Sequence, residues 1–336
     1  MSDIIIPKDY KPVLDIRETE IAIKLVKDFF ERELARNLNL SRVSAPLFVA
    51  ADTGINDNLS GTERPVRFGI KEQDDRKYEI VHSLAKWKRI ALKRYGFVAG
   101  EGLYTDMNAI RRDEHTDNLH SIYVDQWDWE KIIDKSLRDI KTLKSIVRAI
   151  YKTIKATEHY VAEQYAQLPA FLPDDIFFIT SQELLDMYPN LSSKERETAI
   201  AKEYGAVFIM QIGGALSSGE IHDDRAPDYD DWSLNGDIIL YYQTLGIAVE
   251  VSSMGIRVDE KALLKQLEIS DALERTKLPF QKSLLNSELP QTVGGGIGQS
   301  RMCMLFLQKA HIGEVQACVW PQEMIELCDE NNIALL

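Results

Sequence analysis

The sequence predicts an α+β fold in which helices pack on a mostly antiparallel sheet, and three features carry that expectation. Strand-like segments occupy residues 79–81, 102–110, 121–127, 175–180, 206–212, 237–242 and 248–252, and most are not separated by regular helices, so the βαβ alternation of a parallel sheet is missing. Two pairs, 102–110 with 121–127 and 237–242 with 248–252, lie close enough in sequence to form antiparallel hairpins. Helical periodicity is concentrated in two stretches.

The first stretch, residues 19–38, spaces Ile23, Val26, Phe29, Phe30, Leu34 and Leu38 three and four apart among charged partners, which predicts an amphipathic helix packed on the sheet. The second runs from about Trp127 to Gln164, where Ile132, Ile133, Leu137, Ile140, Leu143, Ile146, Val147, Ile150 and Ile154 repeat the helical period. One long helix, or two in tandem, accounts for it. No linker rich in Ser, Gly or Pro, no internal repeat and no low-complexity segment divides the chain, so residues 1–336 read as a single domain.

Composition narrows the function. Of 336 residues 45% are hydrophobic and 28% charged, the balance of a soluble globular protein. Acidic residues outnumber basic ones by 53 to 40, and the net charge of -13 disfavours non-specific nucleic-acid binding. Cys303, Cys318 and Cys328 form neither a disulfide framework nor a zinc pattern and read as small core residues, while His222 and His311 read as ordinary polar or packing residues. No run of 18 apolar residues and no signal-peptide pattern is present, so a cytoplasmic protein with no membrane association is expected.

Four local patterns carry candidate chemistry. The glycine-rich run Val293-Gly294-Gly295-Gly296-Ile297-Gly298-Gln299-Ser300-Arg301 reads as a turn leading straight into an apolar helix. It lacks the third glycine of a dinucleotide fingerprint and the Gly-Lys-Ser/Thr of a P-loop, but Arg301, one turn into the helix, can stack on a base or clamp a phosphate. Residues 102–127 read as a hairpin with Arg111, Arg112, Asp113 and Glu114 at its tip, where a loop can close over an anion, and with Gln126 and Asp128 on one face of the return strand. The acidic segment Gly219–Ser233, followed by Asp237 and Glu250 on strands, offers hard oxygen ligands; Asp223 and Asp224 read as surface loop, whereas Asp237 and Glu250 would be costly to bury without a cation. Finally, His82-Ser83-Leu84-Ala85-Lys86-Trp87-Lys88-Arg89 opens a helix with basic groups, and either Lys86 or Lys88 can hold a carboxylate. Each pattern taken alone also fits a solvated surface feature.

Together these patterns occur in the order of class II aminoacyl-tRNA synthetase motifs 2 and 3. With Asp57-Asn58-Leu59-Ser60-Gly61, Tyr123–Glu130 and Arg225–Trp232, the chain resembles the ammonia-dependent asparagine synthetases, aspartate:ammonia ligases related to aspartyl-tRNA synthetase, over nearly its whole length. The resemblance implies an eight-stranded, mainly antiparallel sheet and a homodimer. It also implies conversion of aspartate, ATP and ammonia to asparagine, AMP and pyrophosphate. Arg111 would contact the α-phosphate, Arg112 being one position past the family's arginine. Arg301 would pack on adenine and reach the γ-phosphate, and Glu114 and Gly298 would belong to the ATP site. Glu250, with Asp237 as a second ligand, would coordinate Mg²⁺. Aspartate would be held by Asp57 on its ammonium group, by Lys88 on a carboxylate, and by Ser83, Gln126, Asp128 and Ser253, with Asp230 near the incoming ammonia. The competing readings are an aspartyl-tRNA-synthetase-like enzyme making an α-aspartyl adenylate and a binding protein without catalysis. The first lacks room for an anticodon-binding barrel and carries an unfavourable charge; the second would not need Arg111, Glu250 and Arg301 together.

Overall fold

The computed structural model describes residues 4–59 and 61–336. Its centre is an eight-stranded sheet built from β1 (Leu40–Arg42), β5 (Gly102–Ile110), β6 (Tyr123–Ile132), β7 (Phe177–Thr180), β8 (Ala206–Met210), β9 (Asp230–Tyr242), β10 (Ile247–Arg257) and β11 (Thr292–Gly298). The strands run in the order β1-β5-β6-β11-β10-β9-β8-β7. Both outer pairs, β1 with β5 and β7 with β8, are parallel, and the five interior pairs are antiparallel. The expected hairpins are the pairs β5/β6 and β9/β10. A second sheet, with β4 (Gln73–Ile80) between β2 (Phe48–Ala50) and β3 (Arg67–Ile70), was not foreseen.

Helices α1 (Ile16–Leu38) and α3 (Ile140–Gln164) cover one face of the large sheet. Asp15 starts α1 through a reciprocal capping box with Glu18, and Asp139 caps α3 by accepting from Thr142 N. The buried stripe of α1 includes Val26, Phe30 and Leu34, and Phe30 stacks on Trp127 of β6 with ring centroids 4.4 Å apart. The remaining helices are α2 (Ala85–Arg94), α4 (Ser181–Met187), α5 (Ser193–Tyr204), α6 (Glu260–Ile269), α7 (Pro279–Leu285), α8 (Gln299–Phe306) and α9 (Gln322–Glu330).

Two sequence expectations need correction. Residues 127–132 continue strand β6 rather than begin a helix. Trp127 and Trp129 alternate inward to the core with Gln126, Asp128 and Glu130 on the opposite face, and that period of two overrides the helical spacing that Ile132 and Ile133 happen to share with α3. The glycine-rich run is likewise no turn. It is the central strand β11, paired on both sides, and α8 follows directly from it. A Cβ on Gly294 would collide with Glu130 Oε2, and one on Gly295 would lie 2.5 Å from Met254 Cβ, so these glycines make room across the sheet rather than bend the chain.

Candidate active site

The face of the sheet opposite α1 and α3 floors a cavity of about 580 Å³. Antiparallel register explains what points into it. Asp128 on β6 lies opposite Gly296, which lies opposite Ser253, which lies opposite Asp237, so these four share a face. Gln126 and Glu130 join them at two-residue intervals on β6. Glu250 would be on the wrong face from Ser253 at a three-residue separation, but a register shift between Glu250 and Ser252 restores it: Glu250 pairs with Ile239, on the same side as Asp237. The glycine opposite Asp128 is required too, since a Cβ at Gly296 would meet Gln126 Oε1.

Twelve of the thirteen expected residues border this cavity: Asp57, Ser83, Lys88, Arg111, Glu114, Gln126, Asp128, Asp230, Glu250, Ser253, Gly298 and Arg301. The exception is Asp237, which is buried behind Arg225 and ion-paired to it. Arg111 borders the cavity while Arg112 is exposed outside it, and the Arg111 Nε is buried with no partner. Lys88 borders it, whereas Lys86 is locked to Asp228 Oδ2 and Gly54 O, each at 3.1 Å. Asp223 and Asp224 also line the cavity rather than a free surface loop, and Asp223 Oδ2 accepts from Arg225 at 3.0 Å. Ser60, in the segment that carries Asp57, lies outside the described residues.

The polar groups are tightly arranged. Asp57 accepts from Ser83 Oγ at 2.7 Å and from Leu59 N at 2.9 Å, and no described cation pairs with it. Lys88 donates to Asp128 Oδ1 at 2.7 Å and to the carbonyls of Trp129 and Gly295 at 3.0 Å, which engages all three ammonium hydrogens. Arg301 Nη1 donates to Glu250 O at 2.9 Å and its Nε to Leu119 O at 3.4 Å. Among the cysteines, Cys303 and Cys328 are buried and Cys318 only half-buried.

Arg257, Glu130, Thr292 and Tyr229 escaped the sequence reading. Arg257, at the end of β10, grips Glu130 through Nε and Nη2 and donates through Nη1 to Asp230; Thr292 Oγ1 adds 2.6 Å to Glu130. Tyr229 lies under Arg257, 5.7 Å from guanidinium carbon to ring centroid. The two carboxylates on Arg257 diverge in proton affinity. Burial pushes Glu130 up, but Arg257, Lys88 and Thr292 outweigh it and leave Glu130 below the ordinary range. Burial also pushes Asp230 up, and its single link to Arg257 does not reverse the rise. Tyr229 is raised well above its usual value by burial and by Asp57 and Asp230. Strand alternation through residue 130 would have exposed Glu130, had β6 been extended past Trp127.

A divalent cation fits one corner of the site. Burial, reinforced by Glu250 and Asp223 and opposed by Arg225, raises Asp237 to about 7, and its Oδ1 is buried with no partner. Of this neighbouring pair of carboxylates, Glu250 is the one that borders the cavity. No group of three or more His, Cys, Asp or Glu side chains forms a closed metal cage among the described residues. Such an incomplete set suits an ion that keeps waters and shares phosphate oxygens.

Known proteins place this architecture in two steps. The fold is that of the class II aminoacyl-tRNA synthetases: asparaginyl-tRNA synthetase from Pyrococcus horikoshii, in complex with asparaginyl-adenylate, superposes with a TM-score of 0.66 at 14% identity, covering 90% of this chain and 70% of that one. The asparaginyl-tRNA synthetase of Entamoeba histolytica gives 0.63 at 11% identity, covering 90% of this chain and 66% of that one. At such identities the likeness is one of fold. Sequence is more specific. The aspartate-ammonia ligase family model matches residues 17–332, and the aspartate–ammonia ligase of Clostridium perfringens strain SM101 is 66% identical over 336 residues, the whole of both chains. That of Pediococcus pentosaceus is 59% identical over 334 residues, 99% of this chain and 100% of its own. The chain belongs to the aspartate-ammonia ligase family.

Proposed function

We propose that the chain makes L-asparagine from L-aspartate, ATP and ammonia through a β-aspartyl adenylate, with release of AMP and pyrophosphate. One observation carries the reading. In a chain of this family, a single cavity holds a buried carboxylate with no paired cation, Asp57, and a guanidinium with an unmet buried N–H, Arg111. The first suits the substrate ammonium group and the second a phosphate oxygen.

In the first step the β-carboxylate oxygen attacks the α-phosphorus and the bond to the bridging oxygen breaks, so pyrophosphate leaves with the electron pair. Asp57, supported by Ser83, holds the α-ammonium group, and Gln126, Asp128 and Ser253 surround the amino-acid backbone. Lys88 turns one of its three bonds from a carbonyl to the substrate carboxylate. Arg111 steadies the α-phosphate as negative charge shifts, with Glu114 beside it, and Arg301 and Gly298 border the nucleotide. Glu250 and Asp237 would hold Mg²⁺, which would supply neutralising charge as pyrophosphate departs.

In the second step the lone pair of NH₃ adds to the acyl carbon, the carbon–oxygen bond to AMP breaks, and nitrogen gives up a proton. Of the two acids on Arg257, Asp230 has the higher proton affinity and borders the cavity, so Asp230 accepts that proton. An Asp230→Asn enzyme that retained full ammonia-dependent turnover would reject the assignment.

The chain acts as one catalytic domain in the cytoplasm, and the resemblance extends to a homodimer; Ile16 and Ile21 of α1 are exposed apolar positions in keeping with a covered face. No described helix is long and apolar enough to cross a membrane. The deciding assay supplies aspartate, ATP and Mg²⁺ with and without ammonium and identifies products. Asparagine and AMP only with ammonium is the expected result, and ADP in place of AMP overturns the adenylate.

A further inference from the structure

Helix α8 carries Arg301 in its first turn, yet its N-cap residue, Gly298, has no side chain with which to satisfy the free N–H groups there. A Cβ at Gly298 would make only ordinary van der Waals contact with Arg301, 3.4 Å from its Cβ, so it is the absence of a side chain at this position that leaves the cap to another element. The cap comes instead from β6. Asp125 Oδ1 accepts from Ser300 N at 3.0 Å, and Oδ2 accepts from Ser300 Oγ at 2.8 Å.

Two further groups complete the shell of Asp125. Lys27 of α1 donates to Oδ2 at 3.0 Å and Gln316 Nε2 to Oδ1 at 3.3 Å. Gln316 is itself tied to Ser300 Oγ at 3.0 Å and accepts from Ser121 Oγ at 2.5 Å. A carboxylate offers about four lone-pair sites, and these four donors fill them. Asp125 therefore borders the cavity with nothing left to offer a substrate or an ion. Its side chain is buried, so its charge needs the balance that Lys27 provides. Arg301 is the residue after the capped Ser300, and it must span to Glu250 O and Leu119 O at once.

We propose that Asp125, charge-balanced by Lys27, is a positioning residue: it caps α8 from a neighbouring strand and so fixes the place from which Arg301 reaches into the cavity. This rests on the reading of Arg301 as an ATP contact. A displacement of the helix start moves the guanidinium directly, and small misplacements of a positioning group are costly to turnover.

The test is steady-state kinetics of asparagine formation with ATP and aspartate varied separately, together with the thermal midpoint measured with and without ATP and Mg²⁺. Asp125→Asn keeps the shape and removes the charge; it is expected to raise KM for ATP about tenfold and leave KM for aspartate within about twofold, with a smaller ATP-induced rise in midpoint. Lys27→Met should follow in the same direction, and Lys27→Arg should restore the wild-type ATP constant. Ser300→Ala, a milder change that keeps the backbone cap, should show a smaller shift of the same kind and serves if Asp125→Asn does not fold. In the double variant Asp125→Asn/Arg301→Ala, the loss should not exceed that of Arg301→Ala alone. Additive losses, or equal rises in both KM values, overturn the proposal. An Arg301→Ala enzyme with unchanged ATP kinetics removes the reading of Arg301 and the proposal with it, whereas an ATP defect in Arg301→Ala but not in Asp125→Asn removes the proposal alone.

Discussion

Strand β6 shows two chemistries on its two faces. Toward α1 and α3 it turns Trp127 and Trp129, fully buried in the main hydrophobic core, with Phe30 stacked on the first. Toward the cavity it turns Gln126, Asp128 and Glu130, of which Glu130 is equally inaccessible. The apolar face is stabilised by area removed from water and needs only volume and shape. The polar face is held by pairings: Glu130 and Asp230 share Arg257, and Asp128 takes Lys88. Such buried pairs contribute little net stability, yet losing one partner is expensive. The same backbone therefore supports an apolar wall and a charged floor.

The contrast is broken most severely at its shared cation. Arg257→Met leaves Asp230 buried without its ion-pair partner and Glu130 with only Lys88, 3.8 Å away, as a counter-charge, and urea unfolding is expected to show a loss of about 3–5 kcal/mol. A variant of wild-type stability would show that the pairing is not what holds the floor. Arg111→Ala should separate function from folding: asparagine formation falls about 10²- to 10³-fold while the urea midpoint is unchanged. A joint fall of both would place Arg111 in the fold rather than in the chemistry.

A polar group set among apolar neighbours sharpens the comparison further. His311 is fully buried beside Trp320, with ring centroids 4.8 Å apart, and its Nδ1 accepts from Gly313 N. Burial, only partly opposed by Asp117, lowers its pKa from 6.5 to about 4. The folded state thus favours the neutral ring. Its contribution is present above the unfolded value and is lost as pH falls from 6.5 toward 4, a decline of about 3 kcal/mol by linkage. Unfolding free energies across that window should show the decline, and His311→Gln should flatten it. The smallest effect is expected at Cys303, whose thiol is pushed up to about 12 by burial. Cys303→Ala should cost about 1 kcal/mol and leave ammonia-dependent activity intact, and thiol reagents should spare this residue in the folded protein.

Much of the site was legible because its chemistry is local in sequence. The hairpin over residues 102–127 brought Arg111 to a tip, and the period of two placed Gln126 and Asp128 together. Arg257 was hidden because its role depends on Glu130 and Asp230, residues 127 and 27 positions away. The glycine run misled for a related reason: glycines that clear space for a neighbouring strand's side chains look the same in sequence as glycines that form a turn. Asp237 shows the converse. A bound cation is the sequence expectation for a strand carboxylate beside apolar residues, and in the structure Arg225 ion-pairs with one oxygen of Asp237.

The sequence by itself determined the α+β class, the amphipathic α1 and α3, the two hairpins and most of the polar residue types that border the cavity, because each depends on neighbours a few positions apart. The tertiary structure decided that β11 runs through the sheet's centre, that a register shift turns Glu250 toward Ser253, and that Asp125 caps a helix 174 positions later. Those outcomes depend on pairing between distant strands, and a strand carries no mark of its partner until register and side-chain packing select one.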